Sequence, residues 1–364
     1  MEAKQSIKHL NRLKDIGSDR TDFFRMDKNE RSTPFPDKIF HEMMSNISSE
    51  LLTIYPDQRP LYKKLSSFLE VDEESILLSS GSDAAIKMIF ETYVRPGDEV
   101  IMLDPTYAMV GVYIKMFDAK QIKIKFSSDL VLPFDRLISS ISSNTRMVFI
   151  ADPNQPTGTI LTEEQIILLL DKCFKTDTLV IFDEAYYQFS QRDSVISHLK
   201  IYPNLIIVRT FSTAFGLAAV RLGYIVSQSC NIDSLYKVKT LADINLFALK
   251  LGEYLLDHNH IVLEYVQTVN ESKLLIEETL KELNIECIGG HANFMHLRLP
   301  ENYDLKNIYE NMKTRGYLFR VTGDGLPATI EGCIRITLGP YKQMQKFLNV
   351  FQEVIKDSPK LTFT

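Results

Sequence analysis

Between about residue 36 and residue 230, short apolar runs alternate with longer stretches whose apolar positions recur at helical spacing. The runs are 75–78, 99–103, 121–126, 147–151, 179–182, 205–208 and 223–226. Runs that are apolar on both faces, separated by helical patterns, predict a mainly parallel seven-stranded sheet buried between helices, the α/β class. Helix starts agree with this. Thr162-Glu163-Glu164-Gln165 is a capping-box pattern ahead of the apolar 166–170, and Gly81-Ser82-Asp83 leads directly into the apolar-rich 84–90. A long helical stretch at 243–284 breaks near Asp257-His258-Asn259-His260 and is expected to link two domains. Beyond it, strand-like 287–299, 318–321 and 333–338 mix with helical 304–315 and 341–355, the order of a smaller α+β domain. Residues 1–35 read as a polar, irregular arm, because Pro34 and Pro36 disfavour helix there. The expected division is arm 1–35, large domain 36–240, and linking helix with small domain 241–364, the small domain taking in part of the arm.

Composition narrows the function without naming it. The chain has 364 residues, 45% hydrophobic and 24% charged, enough to build an extensive core across two domains. A net charge of -6 with signs mixed throughout leaves no basic stripe for nucleic acid, so a small anionic ligand needs locally placed arginines. Cys173, Cys230, Cys287 and Cys333 are scattered with no C-x-x-C pair, and read as reduced, mostly buried thiols. The first residues lack the charged-then-apolar order of an export signal, and no apolar run reaches the ~18 residues that span a membrane. A cytoplasmic protein with no membrane partner is expected. His258 and His260 have no cysteine or carboxylate spacing that completes a metal site.

Parallel α/β sheets bind ligands at the carboxyl ends of their strands, so the residues just after each apolar run carry the candidate chemistry. The first run is followed by Ser79-Ser80-Gly81-Ser82-Asp83, a small-residue turn opening a helix whose free N–H groups suit a phosphate. Next come Asp104-Pro105-Thr106-Tyr107, Asp152-Pro153-Asn154-Gln155-Pro156-Thr157-Gly158, Asp183-Glu184-Ala185-Tyr186, and finally Thr210-Phe211-Ser212-Thr213-Ala214-Phe215-Gly216 closed by Arg221-Leu222-Gly223-Tyr224. A carboxylate such as Asp183 at a buried strand end is costly without a cationic partner.

The order of these motifs resembles the pyridoxal-phosphate (PLP) enzymes of fold type I, the class I/II aminotransferases of the aspartate aminotransferase superfamily, and especially their histidinol-phosphate aminotransferase branch. The resemblance covers almost the whole chain. It implies that Tyr107 stacks on the cofactor ring, that Asp183 pairs with the protonated pyridine nitrogen, and that Tyr186 reaches the phenolic oxygen. By the same likeness Gly81, Ser82, Asp83, Thr210, Ser212 and Arg221 surround the cofactor phosphate, and Tyr55 reaches it from the partner subunit of a homodimer. Arg335 resembles the arginine that clamps a substrate carboxylate or phosphate. Arg320 is a second candidate clamp, and Asn29 and the Ala292-Asn293-Phe294 segment echo the lining of the substrate pocket.

Two positions depart from the family pattern. The asparagine that donates to the cofactor's phenolic oxygen is Gln155 here, leaving Gln155 or Asn154 for that role. The lysine that forms the Schiff base with PLP and shuttles the substrate proton is Thr213, whose hydroxyl does neither at neutral pH. Three accounts of Thr213 are open: a substituted lysine, a natural threonine in a cofactor-binding chain without catalysis, or a base supplied elsewhere, with Lys28 as candidate. The resemblance implies transfer of an amino group between a small amino acid or amino alcohol phosphate and a 2-oxo acid, this chain being inactivated at the lysine position. Decarboxylation of a phosphorylated amino acid and a silent PLP-binding role are the alternatives.

Overall fold

The computed structural model describes residues 2–8, 10, 19–323 and 326–358; the rest of the expected arm, residues 1, 9 and 11–18, lies outside them. In chain order the strands are β1 Phe24–Arg25, β2 Ile76–Ser79, β3 Glu99–Asp104, β4 Lys120–Lys125, β5 Thr145–Ala151, β6 Leu179–Asp183, β7 Leu205–Thr210, β8 Gly223–Ser227, β9 Glu286–Gly289, β10 Phe294–Arg298, β11 Tyr317–Leu318, β12 Arg320–Val321 and β13 Ile334–Thr337. The central sheet has seven strands in the order β2-β8-β7-β6-β5-β3-β4. All neighbours are parallel except β8, which runs against both β2 and β7.

The inner strands of this sheet are buried on both faces, as their apolar runs predict; the edge strand β4 departs from that expectation, because its run alternates lysines with apolar residues and leaves Lys120, Lys123 and Lys125 exposed. Val180 and Phe182 of β6 enter one core with Val148 and Ile150 of β5 and Ile207 of β7. Leu179 and Ile181 enter the opposite core with Met147, Phe149, Ile206 and Val208. Successive residues of these inner strands therefore pack against different helix layers, and neither face is left for water there.

The first core runs on without interruption into the second unit, where Met295, Leu297, Ile334, Ile336 and Phe347 join it. That unit is a four-stranded antiparallel sheet, β12-β13-β10-β9, backed by the helices Leu305–Thr314 and Tyr341–Asp357. The long helical stretch forms two helices, Leu246–Asp257 and His260–Lys281, and breaks where the sequence predicts. The capping box is present in full: Thr162 Oγ1 accepts from Gln165 N, and the Gln165 side chain accepts from Thr162 N.

The arm departs from expectation. Its described part is not wholly irregular: Gln5–Lys8 is helical, and β1 pairs in parallel with β11. The cause is the short apolar stretch Phe23-Phe24-Arg25-Met26, whose Met26 is fully buried in the main core. Of the four free cysteines, Cys173 and Cys333 are buried while Cys230 is exposed. Among the described residues no group of His, Cys, Asp or Glu could hold a metal ion, and no helix is long and apolar enough to cross a membrane.

Candidate active site

The parallel register sets several strand ends side by side. Ala151 at the end of β5 faces Asp183 at the end of β6, and Asp183 faces Val208, two residues before the end of β7. A cavity of about 710 Å³ opens there, lined by Tyr107, Gln155, Asp183, Tyr186, Thr213 and Arg221 among others, and roofed by arm residues 19–21, 25 and 28–31. Among the sequence-predicted residues Ser82, Asp83, Thr210, Ser212 and Asn29 also line it.

Asp183 and Glu184 are adjacent, both buried, and in opposite electrostatic situations. Glu184 accepts from Arg209 Nε at 2.9 Å, from Ser194 Oγ at 2.7 Å and from Val195 N at 2.9 Å, which anchors the loop after β6. Asp183 is 6% exposed, accepts one backbone N–H, from Ala185 at 3.1 Å, and makes no ion pair among the described residues. Burial pushes its carboxyl up to about 7, with Glu184 and Asp83 adding to the rise and the Ala185 N–H opposing it. An anion held this way at a cavity wall is a receptor for a cation.

At the other end of the cavity the features are electropositive. The helix Ser82–Tyr93 begins at Gly81 with no side-chain cap, so its first N–H groups are free for a ligand. Arg221 sits across from it, donating to Ala218 O at 3.1 Å and Ser212 Oγ at 3.4 Å. A Cβ at Gly81 would lie 2.6 Å from Arg221 Nη2, and the residue has φ +84°, so only glycine lets the guanidinium close over the helix start. Thr210 Oγ1 accepts from Ser212 N at 3.1 Å, which shapes the turn between them.

The remaining groups are fixed by cross-links. Tyr107 and Tyr113 both donate to Asp83 Oδ1, at 3.2 and 2.8 Å, which fixes the Asp83 carboxylate in the first turn of the helix Ser82–Tyr93. Burial, followed by the Asp83 and Asp183 charges, raises the Tyr107 phenol far above its ordinary value, and it stays protonated. Tyr186 OH accepts from Asn29 Nδ2 at 3.2 Å, and its ring meets Phe294 edge-on at 5.4 Å. Asn29 also receives Asn293 Nδ2 on its carbonyl at 3.0 Å and bonds Thr337, tying the arm to the small unit across the site.

Asn154 and Gln155 separate cleanly. Asn154 is buried with its amide used: Nδ2 donates to Pro105 O and Thr157 Oγ1, and Oδ1 accepts from Thr106. It does not line the cavity, whereas Gln155 does. Arg335 and Arg320, paired across β12 and β13, also lie outside the lining; both donate to Asp27 O, at 2.8 and 3.0 Å. Arg335 is buried, and burial pulls its guanidinium below the ordinary value. Tyr55 is 89% exposed and lies apart from this cavity. Thr213 is buried and donates its hydroxyl to Ala185 O at 2.5 Å.

Two contributors escape a reading by motif. His296 of β10 holds Pro156 O at 2.7 Å and so braces the turn that carries Gln155. Arg31 enters the cavity from the arm. The charge-dense Asp27-Lys28-Asn29-Glu30-Arg31 was the available signal, with Lys28 also reaching the lining.

A sequence model described as aminotransferase class I and II matches residues 21–351. The chain belongs to that family. Aminotransferases of this family are PLP enzymes, and the cavity fits the group: a buried carboxylate without an ion pair among the described residues suits a protonated ring nitrogen, and the helix start beside Arg221 suits a phosphate. Among the chain's relatives, a histidinol-phosphate aminotransferase of Bacteroides fragilis is 33% identical over 304 residues, covering 82% of this chain and 86% of that protein. Two solved structures share the fold. The histidinol-phosphate aminotransferase of Sinorhizobium meliloti in complex with pyridoxal-5'-phosphate has a TM-score of 0.81 at 22% identity, covering 91% of this chain and 90% of that one. The L-threonine-O-3-phosphate decarboxylase of Porphyromonas gingivalis has a TM-score of 0.76 at 21% identity, covering 92% and 99%.

Proposed function

We propose that this chain binds PLP in the 710 Å³ cavity and is built for amino-group transfer between a small amino acid or amino alcohol phosphate and a 2-oxo acid. The observation that carries this is Asp183, a buried carboxylate at the cavity wall with no cation beside it among the described residues. Asp183 would take the ring nitrogen; Ser82, Thr210, Ser212 and Arg221 would take the phosphate; Tyr107 would cover the ring. Tyr186 and Gln155 would donate to the phenolic oxygen. Bound there, PLP supplies an electron sink for charge developing at the substrate carbon that bears nitrogen.

The protein's own part is positioning. Asp183 would hold a protonated ring nitrogen, since a cation beside its carboxylate is worth more in a water-poor site than in solvent. Asn29 orients the Tyr186 hydroxyl at 3.2 Å. Arg335, with Arg320 opposite, would exchange its bond to the Asp27 carbonyl for a substrate oxyanion, a stronger charge-assisted contact. Arm residues 19–21, 25 and 28–31 form part of the cavity wall.

Thr213 supports a second reading, a PLP-binding protein without catalysis. Without an amine at 213 the chain would hold its cofactor by non-covalent contacts alone, with no proton acceptor at that position. Losing a catalytic base costs about two to four powers of ten in rate. The fold shared with a decarboxylase does not choose between reactions. Restoring the amine with Thr213→Lys and supplying glutamate or O-phosphoserine tests both: release of a 2-oxo acid supports transfer, and release of carbon dioxide supports decarboxylation. No half-reaction with any amino donor, despite bound PLP, leaves the silent reading.

We also propose a cytoplasmic homodimer in which Tyr55 serves the partner's site. Exposed Leu52, Ile54 and Tyr55 support it, as does a surface hollow that sets Pro56 and Tyr62 beside Tyr236 and Leu241. The arm 1–35, large domain 36–240 and remainder 241–364 are the proposed units.

A further inference from the structure

Four arginines line the cavity, and three of them have partners within the protein. Arg20 pairs with Asp27 at 2.6 Å and Glu30 at 2.9 Å, Arg25 approaches Glu30 at 3.7 Å, and Arg221 donates to Ser212 and Ala218. Arg31 has no ion pair or hydrogen bond among the described residues, and its Nε and Nη1 are buried without acceptors. Burial pulls its guanidinium below the ordinary value, with Tyr265 opposing.

What holds Arg31 is its flat surface and its stem. Its Cζ lies 4.0 Å from the Tyr265 ring centroid and 4.6 Å from that of Phe35. These contacts satisfy the faces of the cation and leave the in-plane N–H fork unused. The stem runs against Gly216, where a Cβ would sit 2.5 Å from Arg31 Cδ. Gly216 has φ +72° and accepts no side chain easily, so the turn after Thr213 is shaped to admit this arginine. An ordered fork with buried, unmatched donors at a cavity wall is complementary to a planar carboxylate or a phosphate.

The position is separate from the other two anion sites. Arg31 touches Phe35, Gly216 and Tyr265; Arg221 touches Gly81, Ser212 and Ala218; Arg335 touches Asp27 and Phe294. The geometry points to Arg31 as the residue that selects substrates carrying a second oxyanion, at the end remote from the reacting amine. This rests on the reading that an amino substrate occupies this cavity with its first oxyanion on Arg335.

Amine-free analogues test it without any reaction: glutarate and 3-phosphonopropionate carry two anionic ends, valerate one. Their affinities for the PLP-loaded chain are measured by titration calorimetry for wild type, Arg31→Gln, Arg31→Lys and Arg335→Gln. The expected result is that Arg31→Gln weakens at least one dianion by about tenfold or more and leaves valerate unchanged, while Arg335→Gln weakens all three. Whichever dianion responds identifies carboxylate or phosphate as the group read. Arg31→Lys keeps the charge and the stem against Gly216 but loses the fork, so it lowers the same selectivity by a smaller factor and guards against misfolding of the glutamine variant. Equal weakening of valerate and dianions, or no effect of either Arg31 variant, overturns the inference. If a dianion depends on Arg31 while valerate ignores Arg335, Arg31 stands as an oxyanion residue and the substrate-site reading falls.

Discussion

Asp183→Asn removes the charge that the cavity leaves unpaired while keeping the shape and the acceptor for Ala185 N–H. In the cofactor-free fold burial raises this carboxyl from its ordinary 3.8 to about 7. An acid whose folded pKa is raised binds its proton more tightly folded than unfolded. The resulting penalty is absent below pH 3.8, grows as pH rises, and is complete above about 7. Its size there is about 4 kcal/mol, falling to about 1 kcal/mol at pH 4.5. With an unfolding entropy of about 2.1 cal/mol/K per residue, 4 kcal/mol corresponds to a rise in Tm of about 5 °C. Melting of cofactor-free protein at pH 8 should therefore show Asp183→Asn above wild type by about that amount, and the gap should shrink to about 1 °C at pH 4.5. Saturating PLP should reverse the order at pH 8, because wild type gains an ion pair that the variant cannot make. A variant that melts lower than wild type at pH 8 without PLP, or by the same margin at both pH values, refutes the reasoning.

Other perturbations separate cofactor contacts from scaffolding. Gly81→Ala forces a Cβ to within 2.6 Å of Arg221 Nη2 at positive φ, so PLP affinity should fall by about tenfold with a stability loss of about 1–2 kcal/mol, read by PLP titration and melting. Asn154→Ala strips three buried hydrogen bonds and should destabilise the fold by about 2–3 kcal/mol, whereas Gln155→Ala should leave denaturant stability within about 0.5 kcal/mol and weaken PLP binding. His296 is held neutral, burial lowering it to about 4; the unfolded chain takes up its proton first on acidification, so stability is lost as pH falls from 6.5 towards 4. His296→Gln should remove about 2 kcal/mol of the difference in stability between pH 8 and pH 5, measured by guanidinium unfolding at each pH.

Much of this site could be read from the chain because its parts follow buried strands. The apolar runs 147–151, 179–182 and 205–208 form strands that pair in parallel, and parallel register brings their ends together without further information. The single glycine before an apolar helix likewise marked the helix start at Ser82. What was not legible depends on partners far away in sequence. Nothing local to Asn154 tells that Thr106 and Pro105 consume its amide, so the choice between Asn154 and Gln155 needed the fold. Asn29 meets Tyr186 across 157 positions and Thr337 across 308, which turns a polar arm into a roof. Arg31 stands in a charged stretch of the arm with no motif to single it out; only its packing between Phe35, Tyr265 and Gly216 shows a buried donor without an acceptor among the described residues. Thr213 is the reverse case, visible in the sequence at once, with its hydroxyl then found committed to the Ala185 carbonyl.

The most direct test of the account is where PLP attaches. The chain as it stands and Thr213→Lys are each loaded with PLP, reduced with borohydride, and mapped by peptide mass spectrometry, with bound PLP counted by dialysis of unreduced samples. The account predicts one PLP per chain in both proteins, no stable pyridoxyl label in the first, and a label at residue 213 in the second. Failure of Thr213→Lys to bind PLP, or a label that falls on a residue outside the cavity, contradicts it.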